Sequence, residues 1–244
     1  LLGVSLVLKR YSMIGDGLSH VGFGVISVAT ALGISSPLYV SLPIVMIVAI
    51  ILLKIGNNKT VKSDSAIALI SSGSLAIGVT VVSLTTGMNT DTCNFMFGSI
   101  LAMSQSDVFL SIFVSILVCV LFVVYYRKLF IVTFDEEFAK ASGLDVSRYT
   151  NMIAILSSIV IVVGMRLMGT MLISSIIILP ALSSMQVFKT FKKVVITSGI
   201  ISVTCFLIGI YFSYTLNVST GAMIVLVNLI VFVICTILNK ILNE

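Results

Sequence analysis

Long apolar runs separated by short polar or charged breaks make up nearly the whole chain. They cover approximately residues 1–9 (in part), 14–34, 38–55, 65–86, 108–127, 151–166, 169–187, 194–214 and 221–239. A transmembrane α-helix takes about 20 apolar residues, and continuous runs differ from the alternating pattern of membrane β-strands. The pattern therefore predicts an all-α fold: a polytopic transmembrane helix bundle of about eight full spans plus a truncated N-terminal span. Runs 151–166 and 169–187 are so close that one long or broken helix is an alternative.

The composition supports a membrane location and excludes several function classes. Hydrophobic residues make up 59% of the chain and charged residues only 9%, whereas an ordinary soluble domain has about 25% charged residues. The mean hydropathy is +1.24. These values exclude a soluble enzyme, a disordered tail and a nucleic-acid-binding protein. The four cysteines are scattered in apolar sequence without a C-x-x-C motif, which is typical of small core residues rather than of disulfides.

The basic residues predict how the chain is oriented. If the chain crosses the membrane at each span, only Arg166 lies on one side, and every other base lies on the opposite side: Lys9, Arg10, Lys54, Lys59, Lys62, Arg127, Lys128, Lys140, Arg148, Lys189, Lys192, Lys193 and Lys240. Because lysine and arginine concentrate in cytoplasmic loops, the crowded side is predicted to be cytoplasmic. The chain is thus expected to be a multi-pass protein of the cell (inner or plasma) membrane.

The most distinctive polar group is the Asp16–His20 pair in the segment Ile14–His20 (IGDGLSH). Residues four apart share one face of a helix, and a carboxylate within a membrane is costly unless it faces a cavity or a partner. A carboxylate and an imidazole suit Zn²⁺ or Mn²⁺, but two ligands do not close a site; a two-fold dimer would supply four. A hydrogen bond that pins helices together and a proton relay remain alternatives.

Three further features bear on mechanism. Pro180 interrupts an apolar run. It is about equally consistent with a plain helix kink and with freed backbone carbonyls that line a cavity. The charged segment Phe134–Arg148 is helix-capable and ends near Gly143, and Gln186–Lys193 is short and basic. Both are expected to be docking surfaces, with ordinary solvated loops as the alternative. The chain lacks G-x-x-x-x-G-K-[ST], so it is not expected to bind ATP by itself.

Five segments, taken in order, resemble motifs of the membrane permeases of ATP-binding-cassette importers for zinc, manganese or iron. They are Val7–His20 (VLKRYSMIGDGLSH), Phe97–Leu101 (FGSIL), Phe134–Gly143 (FDEEFAKASG), Val163–Ala181 (VGMRLMGTMLISSIIILPA) and Ser219–Leu226 (STGAMIVL). Two departures leave the preferred metal open. The proline expected before the final S-G-A is replaced, since the local residues are Val218-Ser219-Thr220-Gly221, and Leu182-Ser183-Ser184 replaces the alanines usual after Pro180-Ala181.

The resemblance implies partners and site residues. It implies a homodimeric or paired permease, a cytoplasmic ATP-binding subunit that hydrolyses ATP, and an extracytoplasmic metal-binding protein that delivers the ion. Asp16 and His20 match the family's aspartate and histidine on the translocation path, and Pro180 lies on the pathway or forms a kink. The stretch after the P-A run is expected to meet the ATPase through Ser183, Ser184, Gln186, Lys189, Lys192 and Lys193.

Together these inferences predict a single transmembrane permease domain over residues 1–244, truncated at its N-terminus. The chain is expected to carry a divalent transition metal, zinc or manganese, into the cytoplasm, without a permanently bound cofactor, a nucleic-acid partner or enzymatic activity of its own. The alternative is a proton-coupled secondary carrier that uses Asp16 and His20 as a relay.

Overall fold

The computed structural model describes residues 2–9, 11–34, 37–56, 63–85 and 105–243. In these ranges the regular structure is helical, in eleven helices: α1 (Leu2–Leu8), α2 (Ile14–Ala31), α3 (Pro37–Gly56), α4 (Ser63–Thr85), α5 (Gln105–Val124), α6 (Tyr126–Phe134), α7 (Glu136–Ala141), α8 (Val146–Met168), α9 (Thr170–Val187), α10 (Phe191–Leu216) and α11 (Thr220–Asn243). The predicted motif at Phe97–Leu101 lies outside the described residues.

The long helices coincide with the predicted apolar runs and confirm the all-helical membrane fold. Six of them are long and apolar enough to cross a membrane, and the pair α5 and α6 makes up to seven among the residues described; the six are α3, α4, α8, α9, α10 and α11. Helix α2 is not among them because Asp16, His20 and several small polar residues lower its hydropathy. Length and composition alone therefore do not confirm eight spans.

A glycine separates the two helices that the sequence left ambiguous. Helix α8 ends at Met168 and α9 begins at Thr170, with Gly169 between them at φ 84° and ψ 162°. Only glycine adopts this backbone region readily, because a Cβ atom would clash with the main chain. Runs 151–166 and 169–187 are therefore two helices rather than one.

The chain bends sharply after α5. Helices α5 and α6 meet at Tyr125 at an angle of 71°, so the run predicted at 108–127 is not one straight helix. The short helix α7 follows, capped by the Asp135 carboxylate, which accepts a hydrogen bond from the amide of Phe138 at 2.9 Å. Gly143, at φ 76°, ends this segment. The expected short helix ending near Gly143 is thus present.

Helix α2 lies inside the bundle and contacts α3, α4, α8 and α9. Its approach to α4 is very close, because glycines remove the side chains that would separate the backbones. A Cβ atom added to Gly24 would lie 2.6 Å from the carbonyl oxygen of Ser74, and one added to Gly17 would lie 2.7 Å from Ile67. Moving from Gly17 to Gly24 along α2 corresponds to moving from Ile67 to Ser74 along α4. The two helices therefore run parallel.

Basic residues from several helices gather at one end of the bundle, which we call the basic end. At this end the Lys9 ammonium contacts Glu136, and Lys54 and Lys140 border one cleft with Glu136. The ring of Phe191, next to Lys192, lies 4.8 Å from that of Phe130. This grouping agrees with the sidedness predicted from the sequence.

Candidate metal site

Asp16 and His20 lie on one face in the first half of α2. The Asp16 Oδ1 atom is 3.5 Å from His20 Nε2. Asp16 also stands in the first turn of the helix, where unsatisfied amide groups favour a negative charge. The four-residue spacing thus places Asp16 and His20 side by side on α2, and the Asp16 carboxylate lies at the N-terminal end of the helix, which favours a negative charge.

The pair forms an accessible stripe on a helix that is otherwise mostly buried. The Asp16 side chain is 44% exposed and the His20 side chain 19% exposed, whereas Gly17, Leu18 and Ser19 beside them are buried. An ionisable pair within an apolar bundle usually faces a cavity or a partner. The exposure of Asp16 shows that its carboxylate is not enclosed within this protomer.

The spacing of the two side chains is compatible with shared metal coordination. With metal–ligand bonds of about 2.1 Å, an N–O separation of 3.5 Å corresponds to about 113° at the metal, close to a tetrahedral angle. The Nδ1 atom of His20 is buried and has no hydrogen-bond partner within the described ranges. In that part of the chain, no three His, Cys, Asp or Glu side chains are placed so that they could hold one metal ion together. One protomer therefore offers two candidate ligands there and no closed cage.

Ser19 provides the polar contact between helices that the sequence analysis did not single out. Its hydroxyl donates to the carbonyl oxygen of Asp16 at 2.8 Å and lies 3.4 Å from the hydroxyl of Ser174 on α9. Ser174 in turn donates to the carbonyl of Thr170 at 3.0 Å. The Asp16–His20 contact lies within one helix, so the polar link from this segment to α9 passes through Ser19. Its place between Asp16 and His20 in the segment Ile14–His20 (IGDGLSH) was the available signal.

Pro180 is buried within α9, which remains helical through it. It borders a cleft of about 300 Å³ whose lining is mostly apolar but includes the hydroxyls of Ser157, Ser198 and Ser202. Gly3 of α1 packs directly against the backbone carbonyl of Ile177, one turn before the proline. Pro180 therefore lies where α1 meets α9, away from any contact that the structure records with Asp16 or His20.

The six residues assigned to the ATPase contact fall into two groups. Ser183 and Ser184 are buried, and their hydroxyls donate to carbonyls of their own helix at 2.8 and 2.9 Å. Gln186 is partly buried and accepts a hydrogen bond from Asn239 at 3.0 Å. The remaining three are exposed at the basic end: Lys189, Lys192 and Lys193. The accessible positive charge of this segment thus lies after the end of α9.

A buried lysine links the α1–α2 connection to α7 and α8. The Lys9 ammonium donates to Glu136 Oε1 at 2.9 Å and to the Thr150 hydroxyl at 2.8 Å. Its side chain is 5% exposed, against 44% for Glu136. Burial, with a smaller contribution from the Glu136 carboxylate, raises the pKa of the nearby Tyr11 phenol. No local spacing in the sequence signals this contact, because its partners are 127 and 141 residues away.

Apolar crossing helices, basic residues gathered at one end and an accessible acid–imidazole pair on a buried helix define a polytopic membrane transport protein. Residues 1–239 match the ABC 3 transport family. The chain belongs to that family, which confirms the resemblance to permeases of ATP-binding-cassette metal importers. It is a multi-pass permease of the plasma membrane.

Relatives and a solved structure agree with this assignment. The chain is 30% identical over 233 residues to the manganese import system permease protein ScaB of Streptococcus gordonii, covering 96% of this chain and 83% of that one. It is 28% identical over 234 residues to the manganese transport system membrane protein MntC of Listeria innocua, covering 96% and 82%. The structure of PsaBC from Streptococcus pneumoniae in complex with Fab matches with a TM-score of 0.84 and 30% identity, over 96% of this chain and 84% of that one.

Proposed function

We propose that this permease moves a divalent transition metal, manganese or zinc, inward, and that Asp16 and His20 bind the ion during passage. The observation that carries the proposal is the accessible pair on the buried helix α2, with atoms 3.5 Å apart. The metal is cargo, so the site has to bind it without closing around it permanently. Two protein ligands per protomer and an exposed carboxylate fit that requirement.

The site is completed by a second copy of the chain. Two protomers related by a two-fold axis would bring two aspartates and two histidines together, enough for the four ligands of Zn²⁺ or for a partly hydrated Mn²⁺. The 44% exposed Asp16 side chain supports this arrangement, because an ionisable group on a helix within an apolar bundle usually faces a cavity or a partner. A paired, non-identical permease would serve equally if it carried the same motif.

We assign α2 as a crossing helix despite its modest apolarity, which gives eight spans in all. Helices that surround α2 shield it from lipid, so its composition need not meet the demand placed on a lipid-facing helix. The basic end is then cytoplasmic by the positive-inside rule. With this orientation the ion enters from the outside, where an extracytoplasmic binding protein would release it, and reaches Asp16 towards the cytoplasmic part of α2.

ATP hydrolysis is assigned to a separate cytoplasmic subunit. The exposed lysines of the segment that follows α9 are the proposed contact, whereas Ser183, Ser184 and Gln186 support that segment from the bundle side. Helix α7 is a second candidate contact because it lies at the same end. The Lys9–Glu136 pair then connects α7 mechanically to the start of α2, which bears the metal ligands.

Manganese is favoured over zinc by the names of the relatives, while the ligand chemistry accommodates both. Family membership favours ATP-driven import over the proton-coupled carrier considered from the sequence. The two mechanisms differ in energy source, so a transport assay separates them directly.

The test is uptake of radioactive manganese and, separately, zinc into vesicles that hold the full-length permease with its ATPase and binding protein. The Asp16→Asn/His20→Gln variant should reduce ATP-dependent uptake at least about tenfold, since even indirect disturbance of metal ligands costs 10- to 100-fold. The matched control is Asp64→Asn, which removes an exposed carboxylate from the first turn of α4. It should leave uptake unchanged.

Two results would contradict the proposal. Unchanged uptake by the double variant, at equal expression and equal ATPase activity, would place the metal route elsewhere. Uptake driven by a pH gradient without ATP, and lost in the same variant, would instead assign Asp16 and His20 to a proton relay.

A further inference from the structure

A basic, aromatic-walled cleft opens where α5 bends into α6 and meets the start of α8. We call it the basic–aromatic cleft; its lining residues are Tyr125, Lys128, Arg148, Tyr149 and Met152, and its volume is about 310 Å³. The lining contains two cationic side chains and two phenols but no carboxylate. This cleft is separate from the candidate metal site and from the lysines after α9.

The two cations of the cleft are available for a ligand. Neither Lys128 nor Arg148 forms an ion pair with any residue in the described ranges. The Lys128 ammonium lies 5.7 Å from the centre of the Tyr149 ring, and that ring lies 6.2 Å from the ring of Tyr125. Asp145 is the nearest acid in sequence, and its carboxylate caps α8 by accepting from the Arg148 amide at 3.1 Å.

This combination suits a phosphate group. An arginine offers a planar set of donors and a lysine a compact charge, and both bind phosphate oxygens. Cations held close together without a carboxylate repel each other, and an anion between them relieves that repulsion. Tyr125 and Tyr149 also line the cleft, and a phenol hydroxyl can donate a hydrogen bond to a phosphate oxygen. The cleft therefore has the chemistry of an anion site.

The surroundings favour a phosphate that belongs to a lipid. The cleft lies at a 71° bend, where the chain turns away from the crossing direction of α5 towards the membrane plane. Immediately before it, Val123 and Val124 are 69% and 68% exposed, which gives acyl chains an apolar surface next to the charged group. Basic pockets between transmembrane helices bind the headgroups of anionic lipids.

We propose that the basic–aromatic cleft binds the phosphate of an anionic phospholipid, with the acyl chains along the end of α5. Lys128 and Arg148 contact the phosphate, the Tyr149 ring holds Lys128, and both tyrosine rings wall the cleft. The bound lipid fastens the bend between α5 and α6 to α8. The proposal needs only that this end of the bundle lies at the membrane surface.

The experiment measures lipid binding to the full-length permease purified with its ATPase. Phosphatidylglycerol and phosphatidylcholine are titrated separately, and bound lipid is counted by native mass spectrometry. Phosphatidylglycerol should bind with clear preference. The Lys128→Gln/Arg148→Gln variant should weaken its binding about 30-fold, equivalent to about 2 kcal/mol for two cations near a lipid surface. Lys128→Gln alone should weaken it about fivefold, which provides the test if the double variant fails to fold.

A matched control removes two lysines from the same end of the molecule. Lys54→Gln/Lys140→Gln lowers the net charge equally, but these lysines border a cleft that contains the Glu136 carboxylate. Phosphatidylglycerol binding should stay within twofold of the unmodified protein. An equal loss in this control would show a general charge effect and overturn the proposal.

Three further outcomes would overturn it. If inorganic phosphate binds as tightly as phosphatidylglycerol and competes with it fully, the cleft is a free-anion site. If Lys128 cross-links to the ATPase in the purified complex and phosphatidylglycerol does not bind to that complex, the cleft is a protein contact. Equal binding of the two lipids to the unmodified protein would remove the role of the cations altogether.

Discussion

The Lys9–Glu136 pair should respond very differently to loss of one partner than to loss of the other. The Lys9 side chain is 5% exposed and that of Glu136 44% exposed. Glu136→Ala leaves a buried ammonium whose remaining hydrogen-bond acceptor among the contacts described is Thr150, at 2.8 Å. Lys9→Met leaves a carboxylate that water can solvate, and an apolar side chain fills the space of the lysine stem.

The magnitudes follow from that asymmetry. Removing one member of a buried ion pair and leaving the other costs about 3–5 kcal/mol. Because the Lys9 ammonium keeps its hydrogen bond to Thr150, we expect about 3 kcal/mol for Glu136→Ala. Lys9→Met should cost about 1 kcal/mol, the usual value of a hydrogen bond to a group that water can reach. The double variant Lys9→Met/Glu136→Ala should cost about 1 kcal/mol as well, since no charge is left buried. Removing Lys9 should therefore rescue most of the stability lost with Glu136.

The assay is denaturant unfolding of the four proteins in mixed micelles, followed by the circular dichroism of the helices. The control is Glu137→Ala, because Glu137 is exposed and is the neighbour of Glu136 in α7; it should change stability by less than about 0.5 kcal/mol. Equal effects of Glu136→Ala and Glu137→Ala, or a double variant less stable than Glu136→Ala, would refute the reasoning.

Two glycine substitutions and one control test the backbone geometry by the same unfolding assay. Gly24→Val should destabilise by about 3 kcal/mol through overpacking, because a Cβ atom would lie 2.6 Å from the Ser74 carbonyl. The control, Gly73→Ala, should be neutral or slightly stabilising since its Cβ meets nothing within 4 Å. If Gly24→Val costs no more than this control, α2 and α4 are not in close contact. Gly169→Ala should cost about 1–3 kcal/mol because φ is 84° and ψ is 162° there, and an unchanged midpoint would contradict that backbone conformation.

The sequence predicted the helices well because a membrane demands continuous apolar runs, and their breaks follow local rules. Gly143 lies at positive φ where the charged segment was expected to end, and Gly169 lies at positive φ where the run 169–187 was expected to begin. The shared face of Asp16 and His20 follows from helical periodicity alone. These features depend on neighbours in sequence, so no tertiary information was needed.

Other features depend on packing and were not predictable. Nothing in the residues around Tyr125 signals the 71° bend, since neither glycine nor proline occurs in 122–134. Gly24 and Gly73 look equivalent as small residues, yet only Gly24 faces a backbone. The Ser19–Ser174 contact joins residues 155 positions apart. Such pairings are set by how helices assemble rather than by spacing along one helix.

The contact between α2 and α4 also bears on how the proposed metal ligands can move. With Gly17 and Gly24 against α4, almost no layer of side chains remains between the two helices to absorb sliding, so they travel as one rigid body. Any rocking that turns Asp16 and His20 from one side of the membrane towards the other must sweep α4 along with it. The axis of that rotation then lies outside the pair of helices. Substitutions that loosen the contact between α2 and α4 should uncouple ATP use from transport without altering either proposed metal ligand.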